Sequence, residues 1–228
     1  MITAAEAIRP RLLYEGVADA IRDSIFEHRL PPGTAIDELA LSRHYGVSRT
    51  PVREAIKVLV RDGLLNMRTF SGCSVNAPQR DDLRQALEVI SLLDGFVLRR
   101  LAESPKARVV FLIDAWQDNA RQPEAWRKAV WSSFCEQARA ALDSPVFLAA
   151  GRGLGQQIRL AVGPVFDRID GELSPENRLA LAAALLAGDL PEIDRQARLH
   201  HDFFQAAVLG AIGCEAGDVP AHSQETQK

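Results

Sequence analysis

Apolar residues recur along most of this chain at three- and four-residue spacing, and proline or glycine interrupts the pattern at intervals. Leu13, Val17, Ala20, Ile21 and Ile25 mark one face of a helix over 12–28, stopped by Leu30-Pro31-Pro32-Gly33. Residues 36–45 give a short second helix, with Asp37 and Glu38 in its first turn, where anions suit the positive helix end. Gly46-Val47-Ser48 is a turn. Gly46 supplies the left-handed residue that ends one helix, Ser48 an N-cap, and Pro51 fits the first turn of a third helix running to Asp62.

Gly63 ends that helix. Leu64–Arg68 predicts a strand, residues 69–72 a turn and Cys73–Asn76 a return strand. Ala77-Pro78-Gln79 is the expected linker. Beyond it the periodicity predicts helices at 80–103, 106–121, 123–142, 145–169, 175–187 and 190–212, with X-Pro pairs as helix-start punctuation. The last stretch, 213–228, is polar and aperiodic and predicts a disordered tail. The fold class is mainly α. A winged helix-turn-helix with a small β-hairpin wing occupies 1–77, and an antiparallel α-helical bundle occupies 78–212.

Composition sharpens this picture. With 47% hydrophobic but only 6% aromatic residues, the core must be mostly aliphatic, which suits packed helices. The net charge is −3, yet between Arg43 and Arg68 six cations (Arg43, Arg49, Arg53, Lys57, Arg61, Arg68) meet only Glu54 and Asp62. A basic patch on an acidic protein is the footprint of a nucleic-acid reader with a separate non-binding domain. Along the third helix Val52, Ala55, Ile56 and Leu59 form a buried face, while Arg49, Arg53 and Lys57 recur every four residues on an adjacent one. Such a helix, opening on Ser48, Arg49 and Thr50, fits a DNA major groove.

Other classes lack their residues. Cys73, Cys135 and Cys214 form no CxxC pair, which argues against zinc knuckles and disulfide scaffolds and suits a reducing cytoplasm. The longest apolar run, Leu179 to Gly188, is half of the roughly 20 residues that span a bilayer, and the N-terminus carries no signal-peptide core. No membrane partner is expected. An all-helical metal-dependent enzyme is the competing reading, but ExxH, HExxH, nucleophile-elbow and phosphate-loop motifs are absent. The chain does not read as an enzyme.

The run from Leu30-Pro-Pro-Gly-Thr through Gly-Val-Ser-Arg-Thr-Pro-Val-Arg-Glu-Ala-Ile to Arg-Asp-Gly-Leu-Leu, with Gly72-x-x-Val75, resembles the winged-helix domain of GntR-family transcription regulators over residues 14–76. The helical second half resembles the FadR subgroup (an FCD-type domain), and six helices place it with the VanR-like form. The resemblance implies DNA contacts from Arg43, Ser48, Arg49, Thr50, Arg53, Lys57, Arg68 and Gly72. Arg49 is the candidate for bidentate reading of guanine, and Gly72 allows close backbone approach at the wing. It also implies a homodimer on a pseudo-palindromic operator, and a small-molecule effector, an organic acid, that modulates repression.

The sensing half departs from the family. Where many relatives place an Asp, a His four residues later and two further His to hold a metal, this chain has Trp131, Cys135, Asn177 and His200. A usual Arg is Ile90, while the acid after it persists as Asp94. One His cannot supply the three or more ligands of a divalent ion, so no metal cofactor is expected. Asp94, Trp131, Cys135, Asn177 and His200 are the candidate effector residues, with Cys135 read as a buried apolar thiol and Trp131 as a packing residue. The alternative is a degenerate pocket that answers to another ligand or to none.

Overall fold

A computed structural model describes residues 12–68, 72–121, 130–171 and 175–215. The chain divides after Ala77 into two compact units, each with its own core.

The first unit contains α1 (Leu13–Phe26), β1 (Ala35–Ile36), α2 (Glu38–Tyr45), α3 (Arg49–Arg61), β2 (Leu65–Arg68) and β3 (Gly72–Val75). Val17, Ala18, Ile21 and Ile25 of α1 meet Val52, Ala55, Ile56 and Leu59 of α3, the apolar stripes that define both helices. Leu13 departs from its expected stripe and is exposed, because the buried face begins a turn later at Val17. Asp37 lies just before α2 rather than inside it. Its carboxylate accepts hydrogen bonds from Leu39 N (2.8 Å) and Ala40 N (3.1 Å), so it caps the helix that residue 36 was expected to start.

The sheet is antiparallel, in the order β1-β3-β2. The hairpin was expected as a pair. The third strand is only Ala35–Ile36, too short for a two-residue alternation to show in sequence, and it pairs with Cys73 and Ser74. The expected turn at 69–71 lies outside the described residues. This unit is a winged helix-turn-helix.

The second unit is helical: α4 (Arg80–Ala102), α5 (Lys106–Arg121), α6 (Val130–Ala141), α7 (Pro145–Val162), α8 (Phe166–Gly171), α9 (Pro175–Ala187) and α10 (Leu190–Glu215). Six helices were expected and seven are described. The helix predicted over 145–169 breaks at a 3-10 turn, Gly163–Val165, because Pro164 has no N–H to donate and its ring crowds the preceding turn. The expected helix start at 123 lies outside the described residues. The predicted tail is corrected at its first three residues, which continue α10 to Glu215; the remainder is outside the described residues.

Two apolar clusters fill this unit. In one, Trp116 stacks on Phe134 with ring centroids 4.4 Å apart, beside Leu98, Leu112 and Leu185. In the other, Ile90 and Leu87 meet Ile158, Phe166 and Phe204. The space between α4, α6, α8 and α10 is not purely apolar, and that is where the second candidate site lies.

Candidate functional site

In the first unit, local chemistry sets the aim of α3. Gly46 closes α2 at φ 65°, ψ 30°, a left-handed conformation that costs a β-carbon-bearing residue about 1–2 kcal/mol. Val47 N then reaches back to Ser42 O (3.1 Å), and Ser42 Oγ donates to Val47 O (2.6 Å), fixing the turn between the helices. Ser48 occupies the N-cap position of α3 with extended backbone, but its hydroxyl makes no capping hydrogen bond. The first-turn N–H groups therefore remain available to an incoming acceptor.

The buried stripe of α3 turns its other side outward. Ser48, Arg49, Thr50, Arg53 and Lys57 are all exposed, as is Arg43 at the end of α2. The side chains of Arg43 and Arg49 make no hydrogen bond or ion pair among the described residues. Arg53 Nε donates to Glu38 Oε2 of α2 (2.7 Å), and Lys57 Nζ donates to Glu54 Oε1 (2.8 Å). With Nε engaged, the outer edge of the Arg53 guanidinium keeps two terminal amino groups for a bidentate contact. Arg68 and Gly72 face each other in register across the β2–β3 pair, at the base of the wing. Gly72 is exposed.

The second unit gathers its buried polar residues into one group. Arg139 of α6 forms an ion pair with Asp94 of α4, and both side chains are sequestered from solvent. His201 Nε2 stands 3.7 Å from the other oxygen of Asp94. Trp131 packs against His200 with ring centroids 4.0 Å apart and meets His201 edge-on at 5.8 Å. Asp170 of α8 accepts from Trp131 N (2.8 Å) and Ser132 N (3.0 Å) at the start of α6, and from the Ser132 hydroxyl. A carboxylate at a helix N-terminus is well placed electrostatically.

Burial dominates the titration of this group. It pushes the Asp94 carboxyl up to about 6, against the opposing pull of Arg139 and the Cys135 thiol. It pushes Asp170 up to about 6 against its hydrogen bonds from Ser132 and Trp131. The same desolvation drives His201 down to about 4 and His200 well below the ordinary imidazole value, so both are neutral at pH 7. Cys135 is likewise held as a thiol, as expected of a buried one.

Residues 13–75 match the family model for "Bacterial regulatory proteins, gntR family", the stretch that builds the helix-turn-helix and wing. The helix-turn-helix unit is thus of the GntR-family kind. Over 227 residues, 96% of this chain and 99% of the relative, the chain is 28% identical to a "Probable D-xylose utilization operon transcriptional repressor" of Paenarthrobacter nicotinovorans. Its fold is similar to that of a GntR transcriptional regulator from Rhodococcus sp. RHA1, at TM-score 0.67 and 22% identity, covering 87% of this chain and 98% of the other. McbR/YncC of E. coli is similar at TM-score 0.63 and 19% identity, over 89% and 98% of the two chains. At these identities the solved structures speak for the fold alone. The relatives are regulators rather than enzymes, and no described helix of this one is long and apolar enough to cross a membrane.

Of the five residues assigned to effector binding, the structure brings together Asp94, Trp131, Cys135 and His200. Asn177 is half-buried in the first turn of α9. His200 is fully buried, on the side of α10 that packs against α4. Among the described residues no three His, Cys, Asp or Glu are arranged to hold a metal ion, and the Arg139 guanidinium pairs with Asp94 within the group.

Sequence reasoning missed Arg139, Asp170, Gln196 and His201. The signal for Arg139 was present: it falls in step with Trp131 and Cys135, a cation on the apolar stripe of α6. Gly151 carried a second signal, a glycine inside a helix, since a β-carbon there would lie 2.4 Å from Arg139 Nε.

Proposed function

We propose that the regulator is a sequence-specific repressor that binds a pseudo-palindromic operator as a homodimer and releases it when a small molecule occupies the second unit. The observation that carries the reading is the outward face of α3. Arg49 and Arg53 stand exposed one turn apart, over a helix start whose N–H groups are uncapped. Arg49 is assigned to bidentate contact with guanine, Ser48 and Thr50 to phosphates or base edges, and Arg43, Lys57 and Arg68 to the backbone. Two copies are needed because a palindrome presents two half-sites one helical turn apart. Exposed Leu92, Phe96, Leu199 and Phe203 on α4 and α10 supply an apolar face for the second copy.

Ligand control rests on the buried group of the second unit. The D-xylose utilization role named for the full-length relative supports a link to small-molecule metabolism. No metal cofactor takes part in the proposed switch.

The test is binding at matched salt to operator DNA, identified by selection from a random duplex pool, and to random duplex. Arg49→Ala is expected to lose about 1–3 kcal/mol of discrimination while keeping its oligomeric state. Unchanged preference for operator would refute the role of Arg49 and weaken the reading of the α3 face.

A further inference from the structure

Among the described residues, the buried polar and charged side chains are Asp94, Arg139, Asp170, Gln196, His200 and His201, all in the second unit. Several of their atoms have no hydrogen-bond partner: Arg139 Nε, both ring nitrogens of His200, both of His201, and Gln196 Oε1. Buried polar atoms are almost always satisfied, and a half-satisfied network inside a close-packed core is costly. Here the unsatisfied atoms cluster. Gln196 lies one turn before His200 on α10, the His200 and His201 ring centroids are 5.7 Å apart, and His201 reaches the Asp94 carboxylate that Arg139 grips.

The chemistry of these atoms defines what would satisfy them. Arg139 Nε can only donate and Gln196 Oε1 only accept. Each neutral imidazole offers one donor and one acceptor. A hydroxyl group both donates and accepts, so a molecule carrying several can answer this mixed set. Charge excludes the alternatives. The group already holds two carboxylates, Asp94 and Asp170, against the single guanidinium of Arg139, which is committed to Asp94. An organic acid would bring a third anion into a desolvated place where Arg139, the one buried cation among the described residues, is already committed. A metal cation would face Arg139. The Trp131, His200 and Phe204 rings pack in sequence beside these atoms.

We infer that the second unit binds an uncharged, hydroxyl-rich small molecule, a sugar or sugar alcohol, through Arg139, Gln196, His200 and His201, without a metal. The inference rests on the second unit being the ligand-binding half of the regulator. It replaces the organic acid expected from family resemblance.

The experiment is calorimetric titration of the full chain, without DNA, using D-aldopentoses, D-aldohexoses and their sugar alcohols. D-Xylonate, the carboxylate with the carbon skeleton of D-xylose, and zinc ion serve as counter-probes. At least one neutral member is expected to bind at millimolar concentration or below, and at least tenfold tighter than D-xylonate. His200→Phe keeps a flat ring beside Trp131 and removes two orphan nitrogens. It is expected to melt no lower than wild type and to weaken the neutral ligand at least tenfold. Gln196→Leu is expected to weaken it as well, as a second variant should His200→Phe fold poorly.

Tighter binding of D-xylonate, stoichiometric zinc, or no response to any neutral member would overturn the inference. So would neutral binding that survives both substitutions. If a sugar binds but operator affinity does not change, the ligand site stands and the effector reading falls. Arg49→Ala, which tests DNA reading, is expected to leave sugar binding intact.

Discussion

Gly151 of α7 gives Arg139 of α6 its place in the core: a β-carbon on Gly151 would lie 2.4 Å from Nε and 2.5 Å from Cζ. The guanidinium lies against bare helix backbone and from there holds Asp94. Gly151→Ala must displace Arg139 and strain or break a buried ion pair. The expected loss is on the order of 3 kcal/mol, the lower range for breaking such a pair. In an Arg139→Ala background the same change meets empty space and exchanges glycine for a better helix former. There it should stabilise by about 1 kcal/mol. Denaturant unfolding followed by tryptophan fluorescence measures both, since Trp116, Trp126 and Trp131 all fall in the second unit. Equal costs in the two backgrounds would mean that Gly151 does not act through Arg139.

Asp170 and the two histidines should pull stability in opposite directions with pH. Asp170 titrates near 6 when folded against 3.8 when unfolded, so its favourable contribution is complete below 3.8 and lost as pH rises through 6. His201 titrates near 4 against 6.5. Its contribution is complete above 6.5 and lost as pH falls through 4, and His200 follows the same sign. In the wild type these terms offset one another between pH 4 and 6.5. Asp170→Asn removes one carboxyl and leaves the imidazoles. Relative to wild type, its second unit should gain stability as pH rises across this window, by at most roughly 3 kcal/mol. Urea unfolding at several pH values measures the difference, and a constant offset would contradict the buried titration.

The first unit was legible because each of its signals is local. Asp37, Gly46, Pro51 and the four-residue spacing of Arg49, Arg53 and Lys57 each act within a turn or two of themselves. The site in the second unit is not local. Asp94 meets Arg139 across 45 residues, and Asp170 meets Ser132 across 38, through a core assembled from helices whose order in space no periodicity reveals. What could be read was anomaly: an acid on the apolar face of α4, a cation on that of α6, a glycine in mid-helix. Family alignment pointed to Trp131, Cys135 and His200, which do come together. It also pointed to Asn177, which is half-buried in the first turn of α9.

Leu92 is 75% exposed on α4, with Phe96 one turn on and Leu199 and Phe203 on the neighbouring α10. Beside them Arg99 Nε donates to Asp194 Oδ1 (2.6 Å), tying α4 to α10 and fixing the face as one surface. If a second copy covers it, Leu92→Glu places a charge in an apolar contact and should convert the dimer to monomer at micromolar concentration. Sedimentation equilibrium measures this. Operator binding should weaken at least tenfold, while the melting transition of the first unit, monitored by its own amide exchange, stays unchanged. A Leu92→Glu protein that remains dimeric would move the interface elsewhere.

Glu38 and Lys57 should affect DNA binding with opposite signs. Lys57 sits two turns into α3 with its ammonium paired to Glu54, and on the proposed reading it meets a phosphate rather than a base edge. Lys57→Ala should therefore weaken operator and random duplex by the same factor and lower the salt slope by about 0.9. Glu38 is an anion beside the DNA face, and through Arg53 Nε it orients the outward pair of guanidinium amino groups. Glu38→Ala removes a repulsion toward phosphate and releases Arg53 from its anchor. Affinity for random duplex should rise while the ratio of operator to random binding falls. Isotherms on both duplexes across a salt series separate the two effects. A Glu38→Ala protein that loses affinity for random and operator DNA alike would show that Glu38 supports the fold of α2 and not the aim of Arg53.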